Sequence, residues 1–464
     1  MKTLLQLDYP AILANTAGPV HLALTFDAPE VTGARPQPVA FVTVIDRSGS
    51  MQGSPIEAAK RAARTVVRNL RTGDYFGLAV FDDNAQTLLP LAAQRDAVNA
   101  QRVIDGIQSG SSTNLSGGWA LGRDLLRAAP AGCPRKILLL TDGQLNVGIT
   151  EPALVRQLVS GGLEKDGIRT SCLGFGDGYN EDLLGDLAKA TGGALHDANN
   201  PDDLPEIFRK ELDGLQSMVV QNLRIRVKSC GFAERIVMLG DYPVLAQADG
   251  WQEFAMGDLV SGERRVAVMK LDVLPIPLGA DGQPTATWDG EALVELEIRC
   301  DVITREGLVS RSEHHLIKVL PVQSPEDVKV NTEVLPWVSI QAAASAVERA
   351  LQARDKGQVE EARNILKLEL AKLEPMPASD LLEDARRLLQ TTLDALADDM
   401  DYTRSRKSMN SLRRHYSKGS SADDIVVQAC TGPSFKMPKN KPTPPPDVNP
   451  PTTPKDTEDK SGQA

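Results

Sequence analysis

The feature that most limits what this chain can fold into is an alternation of short apolar runs with amphipathic stretches between about residues 38 and 217. Strands are expected at Ala40–Asp46, Tyr75–Phe81, Gln86–Leu91, Arg135–Thr141, Arg169–Phe175 and Ala194–Asp197. Between them, helices are expected near 54–71, 94–107, 115–129, 150–161, 179–190 and 201–216. Alternation of strands and helices implies an α/β fold: a doubly wound, mostly parallel sheet with helices on both faces. In the first helix Ile56, Ala59, Ala63, Val66, Val67 and Leu70 share one stripe, as in a helix laid on a sheet. A turn at Asp82-Asp83-Asn84 makes one edge strand antiparallel.

The first apolar run ends abruptly in Asp46-Arg47-Ser48-Gly49-Ser50, at the carboxyl end of a buried strand. Beyond it, Ser54-Pro55-Ile56-Glu57 reads as a helix start, with Ser54 as N-cap, Pro55 at the first position and Glu57 closing a capping box. Two later loops bring more oxygens. Gly110-Ser111-Ser112-Thr113-Asn114 precedes a helix, and Leu138-Leu139-Leu140-Thr141-Asp142-Gly143 ends a second buried strand. In a doubly wound sheet, the strands ending at 46 and 142 meet at the point where strand order reverses, where ligands bind. Asp46, Ser48, Ser50, Thr113 and Asp142 are therefore the candidate metal ligands. Two carboxylates and three hydroxyls suit a hard, octahedral Mg²⁺, with Mn²⁺ or Ca²⁺ as alternatives.

These residues carry a resemblance. The segment 38–217 resembles a von Willebrand factor type A (VWFA) domain, and the DxSxS…T…D pattern of its metal-ion-dependent adhesion site (MIDAS) is matched in order by Asp46, Ser48, Ser50, Thr113 and Asp142. The resemblance implies a Rossmann-like domain in which the three hydroxyls reach the metal and the two carboxylates act through water or hydrogen bonds. It also implies that an Asp or Glu of a partner protein fills the open coordination position. The expected function is a metal-ion-dependent protein-binding module of adhesion or scaffold type. The alternative is an accessory subunit of a chelatase or AAA+ ATPase assembly, with the ATPase as partner.

Outside this segment the texture changes. Residues 1–37 hold one clear strand, Val20–Phe26, and are too few to bury a core alone. Short alternating runs from 218 to 322 read as an accessory β-sandwich, which the strand at 20–26 is expected to complete. A β-sandwich interrupted by a type A domain is similar to bacterial relatives of calcium-activated chloride channel regulators and inter-alpha-inhibitor heavy chains. If both ends of the α/β segment meet the sandwich, a shift of its last helix, 201–216, on ligand engagement would swing that neighbour. Residues 325–418 form a C-terminal helical region, expected as a bundle. Acidic residues from Asp380 to Asp401 are followed there by basic ones from Arg404 to Lys418, a pattern of solvated faces or of adjacent helices pairing charge. Residues 431–464 are Pro-rich and expected to be disordered.

Composition excludes several classes. A net charge of −11 and an aromatic content of 4% argue against a nucleic-acid binder. No phosphate loop with its Gly-Lys pair, no GxSxG elbow and no HExxH accompanies the oxygen cluster, so no enzyme activity is expected. The scattered Cys133, Cys172, Cys230, Cys300 and Cys430 make no metal or disulfide pattern. With no signal peptide and no apolar run long enough to span a membrane, the expected location is cytoplasmic.

Overall fold

The computed structural model describes residues 1–31, 38–93, 96–175, 178–198, 201–279, 292–304, 307–396 and 402–419. The Pro-rich segment expected to be disordered lies outside the described residues, as does Asp177, which the sequence Gly174-Phe175-Gly176-Asp177-Gly178 leads one to expect as a turn residue on a loop neighbouring the cluster. The chain opens with β1 (Lys2–Leu7), β2 (Ala11–Leu13) and β3 (Gly18–Asp27). Next come β4 (Ala40–Asp46), α1 (Ser54–Asn69), β5 (Tyr75–Phe81), β6 (Ala85–Ala93), α2 (Ala97–Asp105) and α3 (Leu115–Arg127). Then follow β7 (Arg135–Thr141), α4 (Pro152–Asp166), β8 (Ile168–Phe175), α5 (Glu181–Ala190), β9 (Leu195–Ala198) and α6 (Leu204–Gln216).

The six strands from β4 to β9 form one sheet in the order β6-β5-β4-β7-β8-β9, parallel except at β5–β6. β4 is buried along its whole length, as a central strand covered on both faces must be. Its odd-numbered side chains Phe41 and Ile45 join the core built with α1, α2 and α6. Its even-numbered Val42 and Val44 join the opposite core, with Leu115 and Trp119 of α3 and Val155 of α4. This is a doubly wound, mostly parallel α/β sheet with one antiparallel edge strand. One local expectation is corrected: Ser54 is not the N-cap of α1. Gly53 takes that position at φ +86°, a conformation glycine adopts without Cβ strain. Ser54 therefore already lies in the first turn, and Glu57 pairs with Lys60 at 2.7 Å instead of closing a capping box.

The remaining strands are β10 (Met218–Ser229), β11 (Ala233–Met238), β12 (Val244–Ala248), β13 (Trp251–Val260), β14 (Arg264–Val273), β15 (Val294–Thr304), β16 (Gly307–Ile317) and β17 (Leu320–Val322). With β1 and β3 they make up a four-stranded sheet, β1-β3-β14-β11, and a five-stranded sheet, β12-β13-β10-β15-β16, while β17 pairs in parallel with β2. The two share a single core, in which Leu24 and Phe26 meet Met269, Ile225, Phe254 and Ile298. β3 pairs along its entire length with β14, joining the start of the chain to residues 264–273. β1, β2, β12 and β17 are not evident from alternation, because they are short and half exposed.

Four helices follow: α7 (Leu335–Asp355), α8 (Val359–Leu373), α9 (Asp380–Ala395) and α10 (Tyr402–Lys418). They pack around Val347, Leu351, Leu366, Leu389 and Met409. Gln341 of α7 stitches this region to β14, its amide donating to the Val266 carbonyl (2.6 Å) and accepting from the Val268 N–H (3.0 Å). Arg406, Arg413 and Arg414 of α10 are held in ion pairs. Arg406 pairs with Glu181, Asp182 and Asp355, while Arg413 bridges Asp241 and Glu348. These partners lie on α5, on α7 and before β12, not in the acidic run from Asp380 to Asp401, so among the described residues the two runs do not pair with each other as adjacent helices.

Candidate functional site

The site is built at the carboxyl ends of β4 and β7. Their register sets Ile45 beside Leu140, so Asp46 stands next to Thr141. Asp46 is fully buried, and both of its oxygens are held. The Ser48 amide donates to Oδ1 at 2.8 Å, and the Thr141 hydroxyl donates to Oδ2 at 2.6 Å. The first bond closes an Asx turn, which reverses the chain straight after the strand. It leaves the Ser48 and Ser50 hydroxyls 3.1 Å apart on a short 3₁₀ turn over Gly49–Met51.

Thr113 arrives by a different route. Two bonds anchor its loop to the 46–50 turn: Gly110 N–H to the Arg47 carbonyl (2.5 Å), and Gly49 N–H to the Ser111 carbonyl (2.9 Å). A third, from Asn114 N–H to the Asp82 carbonyl (2.7 Å), ties it to the end of β5. Only glycine fits at 110, because a Cβ there would overlap the Asp82 carboxylate, which itself pairs with Arg47 at 2.9 Å. Thr113 is buried, and its carbonyl accepts from the amides of Asn146 and Val147, closing the loop after β7 over the cluster. Asp142 follows Thr141, partly exposed. Its Oδ1 accepts the Gln144 N–H (3.1 Å), and its carbonyl is held by the Asn180 N–H (2.8 Å) at the start of α5.

The electrostatics agree with this proximity. Burial pushes the Asp46 carboxyl up from 3.8 to about 6; hydrogen bonds from Ser48 and Thr141 pull it down, and the Asp142 charge adds to the rise. Arg47 points its charge at Asp82. Two carboxylates that sense each other, with three hydroxyls around them, form a set that a small divalent cation would relieve. Among the described residues no group of three or more His, Cys, Asp or Glu side chains could hold a metal. A cation at this cluster would therefore depend on Ser and Thr oxygens.

The structure joins the loops that carry all five candidate residues, at the carboxyl ends of β4, β5 and β7. It adds Thr141, which the sequence reading passed over although it adjoins Asp142, and the Arg47–Asp82 pair that braces the Thr113 loop. His21, His196, His314 and His315 each pair with a nearby carboxylate elsewhere. Among the described residues, Cys133, Cys172, Cys230 and Cys300 form no disulfide. Among the described residues no helix is long and apolar enough to cross a membrane.

Residues 41–210 match the family model of the von Willebrand factor type A domain. Among curated proteins, the chain is 25% identical over 243 residues to an uncharacterized protein of Synechocystis, covering 50% of this chain and 57% of that one. It is 34% identical over 179 residues to human inter-alpha-trypsin inhibitor heavy chain H4, covering 36% of this chain and 18% of that one. It is 29% identical over 248 residues to the E3 ubiquitin-protein ligase WAV3 of Arabidopsis thaliana, covering 51% of this chain and 31% of that one. The chain thus spans 57% or less of the length of these relatives. Among solved structures, a von Willebrand factor type A protein from Catenulispora acidiphila aligns with a TM-score of 0.66 at 16% identity, over 89% of this chain and 96% of that one. The ArnB paralog VWA2 from Sulfolobus acidocaldarius aligns with a TM-score of 0.56 at 17% identity, over 88% of this chain and 98% of that one. The shared fold therefore extends past residues 41–210 into the added strands and the C-terminal helices.

Proposed function

We propose that the von Willebrand factor type A domain found in this chain is a metal-ion-dependent protein-binding module, with Asp46, Ser48, Ser50, Thr113 and Asp142 forming its cation site. The observation that carries this reading is the fixing of Asp46. Both of its oxygens are committed to Ser48 N–H and Thr141 Oγ, so it positions the two serine hydroxyls and does not compete with them for the cation. Ser48, Ser50 and Thr113 would hold Mg²⁺, and Asp142 would balance its charge from the rim. The cation supplies a Lewis-acidic position that an Asp or Glu of a partner protein completes.

The protein's own part is rigidity and charge. The Asx turn and the braced Thr113 loop present three hydroxyls without reorganisation on binding. The heavy chain H4 and the ligase WAV3, similar to this chain over 179 and 248 residues, support an interaction role for it. Calorimetric titration of the whole protein with Mg²⁺, repeated on Asp46→Ala, tests the site. Saturable binding to the wild type alone is expected, and equal heats from both would refute it. A pull-down in Mg²⁺ against EDTA tests the partner step: equal recovery from both would separate partner binding from the metal.

A further inference from the structure

Sheet edges are templates for pairing with another chain, and most edges here are blunted. Among the described residues, β6 carries two register irregularities, β11 and β12 carry one each, and β9 has four residues. β16 differs. It is an 11-residue outer strand of the five-stranded sheet, in unbroken register with β15. It contains no proline, lysine or bulge, and it leaves Leu308, Val309 and Leu316 at 39%, 43% and 53% exposure.

Its sequence, Gly307-Leu-Val-Ser-Arg-Ser-Glu-His-His-Leu-Ile317, is complementary to itself when reversed. We propose that β16 is the self-association edge of this protein, pairing antiparallel with β16 of a second copy about a two-fold axis at Ser312. In that register Arg311 faces Glu313 of the other copy, twice by symmetry. Leu308 faces Leu316, Val309 faces His315 and Ser310 faces His314.

The alternatives are penalised. Centring on Arg311 sets Arg against Arg, and centring on Glu313 sets Glu against Glu, both destabilising directly opposite pairs. Pairing with β15 sets Arg311 opposite Cys300 and Glu313 opposite Ile298, both buried. The two charges thus stand on the core-facing side of the strand. Inward charges at an edge normally repel a passing strand. A second copy in this register neutralises them, so the device that rejects foreign strands selects the protein's own. The result is an isologous contact joining two five-stranded sheets into one.

Ser312→Cys provides the sharpest test, because only this register places residue 312 opposite itself. Under mild oxidation the full-length variant is expected to form a disulfide-linked dimer, while wild type and Ser310→Cys remain unlinked. Sedimentation of the reduced protein over a concentration series is expected to show dimer. Arg311→Glu or Glu313→Arg should weaken it about tenfold or more, and the double swap should restore it. All variants should keep the wild-type circular dichroism. A concentration-independent monomer, equal linking at 310 and 312, or single swaps that leave the dimer intact would overturn the proposal.

Discussion

Replacement of Glu211 tests how firmly the last helix of the type A domain is fixed. Glu211 lies on α6 and is 6% exposed. Its carboxylate is held by Lys136 of β7, His196 of β9 and the Ser171 hydroxyl of β8, the last at 3.1 Å. Burial pushes this carboxyl up, but the Lys136 and His196 charges outweigh it and hold it well below the usual carboxylate range. Glu211→Gln keeps the shape, removes the charge and leaves Lys136 without its counter-ion. Breaking a buried pair from one side costs about 3–5 kcal/mol. Lys136 is 18% exposed and can turn partly to water, which places the expected loss at ~3 kcal/mol.

The sign of the pH dependence follows. A carboxyl depressed in the folded state stabilises the fold above its unfolded value of 4.5, and that contribution fades as pH falls below it. The gap between wild type and variant in urea unfolding should therefore be full at pH 7 and shrink below about pH 4.5. A gap under ~1 kcal/mol at pH 7, or one that widens on acidification, would show that the Glu211–Lys136 pair does not hold α6 in place. The number also bears on the swing anticipated for α6. Allosteric couplings are typically about 1–3 kcal/mol, no more than the cost of pulling Glu211 from its partners. Phe208 and Leu212 would leave the core as well. Solution scattering of the wild type should accordingly stay unchanged on adding Mg²⁺.

Two further outcomes are expected. Thr141→Val removes the donor to Asp46 Oδ2 and the acceptor of the Gly143 N–H, costing about 1.5–3 kcal/mol in thermal unfolding and weakening Mg²⁺ by about tenfold to a hundredfold in calorimetry. Arg406→Ala loosens α10 from α5 and α7 and leaves the buried Glu181 to Arg414 alone. A loss of about 1–3 kcal/mol is expected in denaturant melts, smaller at 1 M salt.

The sequence by itself determined the six-stranded sheet and its helices, because buried parallel strands must be continuous apolar runs and sheet-facing helices must be striped. β4, β5 and β7 fall at the residues expected, and all five candidate site residues sit at strand ends or in loops that local patterns reveal. Tertiary structure decided what depends on distant partners. β1 and β12 are half exposed and take their conformation from β3 and β13, so alternation does not mark them. Gly53 displaced Ser54 as cap because the entry angle of α1 is set by the turn before it. The hold of Thr141 on Asp46 spans 95 residues and exists only because β4 and β7 are neighbours in the sheet. The basic run of α10 reads as a solvated face or as a partner of the acidic run before it, and the fold instead sets Arg406, Arg413 and Arg414 against Asp355, Asp241 and Glu181. Local pattern is written in consecutive residues. Pairing across the fold is written in none of them singly.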